Sequence, residues 1–410
     1  MMKIIYVLLL AGVFLGNASV VSAQVKAVKG WLGKDADRRK PLNELSVYEK
    51  TLTKDDAREI AGLLFAEKLK EVKEKNGRMW QLKCFKRADL QMPFDYKVFG
   101  EKPADGRSLY ISMHGGGNAP KALNDQQWQN QIRLYEPKEG VYVAPRAPWD
   151  DWNMWFKPGL DEFFDDVIRT AVATMGVNPD KVYLLGYSAG GDGVWRMAPR
   201  MADRWAAASM MAGHPGEASQ VNLRNVPFMI WMGENDAAYD RNTLAAKKGL
   251  IMDSLRAADP EGYIHETHIV KGKGHWMDRE DAVAIPWMAQ YRREPLPVKV
   301  VWRQEDVVRP SLYWLSVTPN EAKPGMEVIV ERNGNTFTIV KNDYDRLTIR
   351  LNDEMIDFEQ PVEIFYRGNK IFSGRVKRTL KDIDQSINER VDERLIFSGS
   401  LTVEENKKSY

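Results

Sequence analysis

Ser188 stands in the pentapeptide Gly186, Tyr187, Ser188, Ala189, Gly190, directly after the apolar run Val182 to Leu185 and ahead of a stretch that reads as a helix. A serine on so sharp a strand-to-helix turn, flanked by glycines because a side chain there would meet neighbouring backbone, presents its hydroxyl as a nucleophile. The five-residue pattern alone occurs by chance in many loops, so its context has to carry the argument. Upstream, the apolar run Leu109 to Met113 leads into His114, Gly115, Gly116, Gly117, whose unhindered backbone N–H groups can face a developing oxyanion. Downstream, Pro227 to Met232 leads into Gly233, Glu234, Asn235, Asp236, a loop bearing a carboxylate. Further on, Tyr263 to Val270 is followed by Gly272, Lys273, Gly274, His275, a loop bearing an imidazole. Nucleophile, acid and base therefore follow in the order Ser188, Asp236, His275.

The elements that must position them alternate. Strand-like runs at Ser108 to Met113, Val141 to Ala144, Val182 to Leu185, Ala206 to Met211, Pro227 to Met232 and Tyr263 to Val270 are interleaved with helical stretches near Leu160 to Thr174, after Ser188, and near Glu280 to Arg293. Such alternation predicts a doubly wound, mostly parallel sheet, in which ligands bind beyond the carboxyl ends of the strands. Every motif above falls at such an end. Ahead of this region, Thr53 reads as the cap of a helix whose Ala61, Phe65, Leu69 and Val72 share a face and which Asn76 and Gly77 would end. Behind it, Pro295 and Pro297 mark a linker. After them come short alternating runs, with Asn333, Gly334, Asn335 and Arg367, Gly368, Asn369 as hairpin turns. The expected division is an export signal at 1–23, a helical accessory segment at 24–91, a catalytic α/β domain at 92–294 and a small β-rich domain at 295–410.

The runs LYISMHGGG, VNPDKVYLLGYSAGG, GEND and GKGH together resemble the esterase branch of the α/β-hydrolase family, whose members carry Ser, Asp and His in this order. Within it the likeness is to secreted carboxylesterases of the feruloyl-esterase and polyhydroxybutyrate-depolymerase type. It covers about Met92 to Arg293. The resemblance implies an α/β-hydrolase sheet and a serine carboxylic-ester hydrolase that removes acetyl or feruloyl groups from polysaccharide. In it Ser188 attacks, His275 carries the proton and Asp236 orients the imidazole. The oxyanion would be met by the N–H of Ala189 and by that of Gly116, with Gly115 as the other candidate. Two other readings stand beside it: a peptidase of the prolyl-oligopeptidase kind, and an inactive scaffold whose β domain binds glycan or a partner.

Glu234 and Asp240 share a loop with Asp236, which leaves the choice of carboxylate open on spacing alone. His114 reads as a residue that fixes its loop, and His214 as either a cleft residue or a surface one. Trp152, Trp155, Tyr187 and Trp276, with Trp149 and Phe156, are expected to wall a sugar or phenolic group, although packing of a long loop explains them equally well. Arg196, Arg200 and Arg204, repeating every four residues, read as a solvated helix face. His265 and His268 fall on opposite sides of a strand, and neither HExxH nor paired CxxC occurs, so no metal and no cofactor is called for.

Lys plus Arg number 59 against 57 for Asp plus Glu, with both signs interspersed, so no broad field attracts nucleic acid. Lys3, the apolar run Ile4 to Phe14 and the small residues Val21, Ser22, Ala23 read as a secretory signal cut before Gln24, giving a secreted or periplasmic protein. That run is shorter than the ~20 residues a membrane span needs. Cys84 is the single cysteine, which excludes an intrachain disulfide. The partner expected is an ester substrate, carbohydrate-linked on the resemblance; the sequence is silent on oligomeric state.

Overall fold

The computed structural model describes residues 22–404; the stretch read as an export signal lies, apart from Ser22 and Ala23, outside them. Helix α1 (Ala23–Leu32) is capped by the Ser22 side chain, which accepts the N–H of Val25, and α2 (Lys54–Gln81) by Thr53, which accepts that of Asp56 at 3.1 Å. Helix α2 does not stop at Asn76 and Gly77. The buried Asn76 amide donates to Asp166 and Thr170, and one turn on Trp80 packs 5.1 Å from Phe94, so tertiary contacts outweigh the roughly 1 kcal/mol that a helical glycine costs.

Strands β1 (Cys84–Arg87) and β2 (Leu90–Phe99) form an antiparallel hairpin, so the central sheet begins ahead of Met92. It continues through β3 (Arg107–Met113), α3 (Lys121–Gln131), β4 (Gly140–Pro145), α4 (Leu160–Met175), β5 (Val177–Tyr187), α5 (Ala189–Arg200) and β6 (Ala207–Met211). Then follow β7 (Phe228–Gly233), α6 (Arg241–Ala258), β8 (His265–Val270) and α7 (Ala284–Met288). The order across the eight strands is β1-β2-β4-β3-β5-β6-β7-β8, parallel from β4 to β8, with β2 antiparallel to β4. Strand order reverses beside β3, which places the HGGG and GYSAG turns side by side at the carboxyl edge. β4 and β7 are buried at every residue and β5 from Lys181 to Tyr187, as strands covered on both faces must be. The helical tail expected to Arg293 is one 3₁₀ turn followed by the five residues of α7.

The C-terminal part holds two sheets. One runs β16-β15-β13-β12-β9 and the other β10-β11-β14-β17, from β9 (Lys299–Arg303), β10 (Ser311–Leu312), β11 (Leu315–Val317), β12 (Glu327–Asn333), β13 (Thr336–Asn342), β14 (Arg346–Leu351), β15 (Val362–Tyr366), β16 (Asn369–Gly374) and β17 (Gly399–Glu404). The hairpins at Gly334 and Gly368 fall where the turn residues place them. A helix not foreseen, α8 (Leu380–Glu389), buries Leu380, Ile383 and Ile387 against Val25, Val28, Ile60 and Leu64 of α1 and α2. Helices near both ends of the described residues thus share a core.

Nor do Pro295 and Pro297 make a loose tether. Leu296 between them is buried, Trp314 donates its indole N–H to the Pro297 carbonyl at 2.9 Å, and Trp302, Tyr313 and Trp314 belong to the same apolar core as Trp205 and Phe164. The arginine stripe is likewise not a solvated face. Arg200 is buried with Asp161 at 2.7 Å and Asp306 at 3.3 Å, and Arg204 with Asp165 at 2.9 Å. Next to them Arg293 bridges Asp180 and Asp392, and Arg390 pairs with Asp203. A four-residue repeat marks one side of a helix; here that side meets acids from distant segments.

Candidate active site

Ser188 terminates β5 at φ 57° and ψ −122°, a conformation few residues other than glycine adopt, and α5 starts at the next residue. The turn is this tight because Gly186 and Gly190 nearly touch: a Cβ on Gly190 would stand 2.1 Å from the Met113 carbonyl oxygen, and one on Gly186 would stand 2.3 Å from the Gly190 oxygen. Ser188 occupies the N-cap position yet caps nothing. Its hydroxyl instead lies 2.9 Å from Nε2 of His275, whose Nδ1 lies 2.7 Å from Oδ2 of Asp236. Because a carboxylate only accepts, Nδ1 carries the proton and Nε2 is left to accept the serine hydroxyl.

Three elements hold that chain of bonds. Asp236, 3% exposed, sits beyond β7 with its own carbonyl accepting the Asn242 N–H and the Arg241 guanidinium 3.8 Å from Oδ1. Of its neighbours, Glu234 accepts the Gly272 N–H at 2.8 Å and so ties the acid loop to the histidine loop, while Asp240 opens α6. Tyr187 fixes the other side: its hydroxyl donates to the His275 carbonyl at 2.7 Å and accepts the Met277 N–H at 3.2 Å.

On the facing loop His114 is fully buried. Its Nδ1 lies 2.6 Å from the Gly115 carbonyl and its Nε2 accepts the Ala147 N–H at 3.2 Å, which fixes a neutral ring. Burial drives its pKa down to about 3, consistent with a loop anchor rather than a proton carrier. Gly117 gives its N–H to Oδ1 of the buried Asn124 at 2.8 Å and is thereby spent. The N–H groups of Gly115, Gly116 and Ala189 have no partner among the described residues. Gly115 approaches Ser188 so closely that a Cβ on it would lie 3.1 Å from the serine Cβ. A serine on a strand-to-helix elbow, a glycine loop after β3, and an acid and a histidine on loops after β7 and β8 now stand in one place.

The fold is that of an α/β-hydrolase. Beside the elbow of this hydrolase fold opens a cleft of about 430 Å³ bounded by Gly116, Ala189, Trp152, Phe156, His214 and Tyr239, with Arg196 and Arg241 on its wall. Trp152, 63% exposed, lines it. Trp276 is 49% exposed and packs 5.6 Å from Tyr187, beside the histidine. Two expected wall residues are not available to a ligand. Trp155 is 1% exposed and donates its indole N–H to the His114 carbonyl at 2.8 Å, because the loop that bears it folds inward under α5. Tyr187 is buried and its hydroxyl is taken up by the histidine loop.

His214 does face the cleft, with its N–H on Asp192 at 2.5 Å; burial raises the Asp192 carboxyl to about 6. Arg241, Tyr239 and Asn124 carried no signal in the sequence, since each gains its place only through the fold. His265 pairs with Asp253 at 3.0 Å and His268 stacks on Trp231 at 4.2 Å, on opposite sides of β8. Burial raises the Cys84 thiol pKa, the opposite of what a nucleophile needs.

No protein-family model and no curated protein matches the chain. Among solved structures it is similar to a thermostable esterase at 18% identity and TM-score 0.40, over 51% of this chain and 62% of that one, so it spans about three fifths of that protein. It is also similar to a ferulic acid esterase at 17% identity and TM-score 0.35, over 49% and 93% of the two chains. An acetyl xylan esterase from Aspergillus awamori follows at 11% and 0.34, over 48% and 93%.

Proposed function

We propose that this protein is a serine esterase that cleaves carboxylic esters through an acyl-enzyme, outside the cytoplasm, with acetyl or feruloyl esters of polysaccharide as its substrate class. Ser188 Oγ attacks the ester carbonyl carbon and passes its proton to His275 Nε2. The oxyanion is held by the Ala189 N–H and that of Gly116 or Gly115. When the intermediate collapses, the leaving alcohol takes the proton from His275; water then repeats the sequence and frees the acid. Asp236 keeps the proton on Nδ1 and stabilises the imidazolium.

The observation that carries this reading is the unbroken hydrogen bonding from Ser188 through His275 to Asp236, next to backbone N–H groups without partners. The polysaccharide part is supported by an open cleft lined by the exposed Trp152 ring, as a ring-shaped group requires. Hydrolysis of acetylated and feruloylated sugars by purified protein, lost in Ser188→Ala, is the test. Turnover of aminoacyl amides with esters ignored would replace the reading by a peptidase. The N-terminal residue of the exported protein, expected to be Gln24, tests the location.

A further inference from the structure

The cleft beside Ser188 carries more positive charge than the chemistry above uses. Arg196, from α5, and Arg241, from the start of α6, both line it with side chains 14% and 16% exposed. Neither makes a close ion pair within the protein: Arg241 lies 3.8 Å from Asp236 and Arg196 lies 3.9 Å from Asp306. Arg196 makes no hydrogen bond among the described residues; its nearest acid, Asp306, lies 3.9 Å away and is shared with Arg200 at 3.3 Å. Arg241 makes one 3.4 Å bond to the Ala238 carbonyl, and its buried Nε has no partner. Each guanidinium lies against an aromatic ring, Arg196 over Phe156 at 5.4 Å and Arg241 over Tyr239 at 5.0 Å, which holds it in place while leaving N–H donors for a ligand.

The nearby acids offset this charge only in part, since Asp306 and Asp236 stand 3.9 and 3.8 Å from Arg196 and Arg241. Glu305, a further acid near Arg196, is pushed up to about 7 by burial. His214 between the arginines has its pKa lowered, first by burial and then by Arg241 and Arg196, so it stays a neutral imidazole. Asp192, its carboxyl raised by burial, already accepts the His214 main-chain N–H. A guanidinium offers five donors in a planar fork suited to a carboxylate, and two of them with donors to spare on one wall suit an anion.

We propose that this cleft is a subsite for a carboxylate borne by the ester substrate, received by Arg196 and Arg241. The inference rests on the serine-esterase reading and narrows it. The carboxylate belongs either to the acyl part, as in a half-ester of a dicarboxylic acid, or to the alcohol part, as in an ester on an acidic sugar. Asp306, on the loop after β9, backs Arg196, so the C-terminal β part contributes to the same subsite.

The test compares matched probes on the full protein. Mono-p-nitrophenyl glutarate against p-nitrophenyl valerate reads the acyl side; para-acetoxybenzoate against para-acetoxybenzamide reads the alcohol side. The expected result is a kcat/KM ratio of about tenfold or more for the charged member of one pair, the size of a charge-assisted hydrogen bond. That ratio should fall toward one in Arg196→Gln and Arg241→Gln, be partly kept in Arg196→Lys, and shrink with added salt. Because each ratio is taken within one variant, partial misfolding cancels. Neutral esters turned over with neither charged probe preferred, or a preference that survives both glutamine variants, overturns the subsite and leaves the esterase reading intact. If no ester is turned over, that reading fails. Calorimetric titration of the same pairs into Ser188→Ala then decides the subsite alone: tighter binding of a charged probe supports it and equal binding overturns it.

Discussion

The Tyr187 hydroxyl donates to the main-chain carbonyl of His275 at 2.7 Å, so the residue that leads into the proposed nucleophile also holds the loop of the proposed base. Two loops 88 residues apart are thereby set to one register. Tyr187→Phe removes that bond and the acceptor for the Met277 N–H while keeping the ring. Because a displacement of about 1 Å costs up to a hundredfold, kcat should fall roughly ten- to a hundredfold with KM little changed. A rise in KM alone would assign Tyr187 to the substrate instead.

His114 makes stability depend on pH with a defined sign. The unfolded chain takes up the imidazole proton near pH 6.5, but the buried ring does so only near 3. Between those values only the unfolded state is protonated, so its contribution falls by about 1.4 kcal/mol for each pH unit of acidification and levels off below the folded value. Denaturant titrations at several pH values should show this slope in the wild type and lose it in His114→Asn.

Asp192 and Glu305 act in the opposite sense. Burial raises their carboxyls to about 6 and about 7, so the folded state binds protons that the unfolded chain has already released. Stability supplied by the protonated forms is complete below the unfolded carboxyl range and drains as pH rises through the folded values. Asp192→Asn, whose amide oxygen still accepts the His214 N–H, should flatten that decline between pH 4 and about 6 in thermal melts.

The backbone of Ser188 stores strain. At φ 57° and ψ −122° a serine costs on the order of 1–3 kcal/mol relative to a relaxed conformation, and glycine escapes most of it. Ser188→Gly should therefore be about 1 kcal/mol more stable than Ser188→Ala, after the extra freedom glycine brings to the unfolded chain. Chemical denaturation of the two variants checks this; equal stability would mean that the elbow is unstrained.

Where the central sheet meets the C-terminal part, Arg293 has both Nη atoms on Asp392, at 2.6 and 3.1 Å, and both partners are almost fully buried. Asp392→Ala removes one of the two acids that hold the buried Arg293 and leaves Asp180 at 2.7 Å as the other. It should cost about 3–5 kcal/mol and lower a single cooperative transition, because the C-terminal part shares its core with the hydrolase fold. Two separated transitions would instead show an independent terminal domain.

What the sequence disclosed was local. Gly186 and Gly190 announce the elbow because the turn excludes side chains at those two places, and Asn333 with Gly334 announces a hairpin for a similar reason. Alternating apolar runs disclosed the sheet because burial on both faces leaves that trace. What was hidden depends on partners far away in the chain. Arg200 and Arg204 look solvated until Asp161, Asp165 and Asp306 meet them. Trp155 looks like a ligand wall until its loop folds beneath α5, and α8 cannot be told from an exposed helix until α1 and α2 cover it. Among three acids on one loop, only the fold shows that Asp236 reaches His275.

The most direct test of the central claim is the reaction of the purified protein with a fluorophosphonate, followed by peptide mass mapping. The account predicts one adduct, on Ser188, formed in step with loss of p-nitrophenyl ester hydrolysis, absent from Ser188→Ala and slowed by about 10⁴-fold in Asp236→Asn. Label on another residue, or ester hydrolysis that persists in Ser188→Ala, would contradict it.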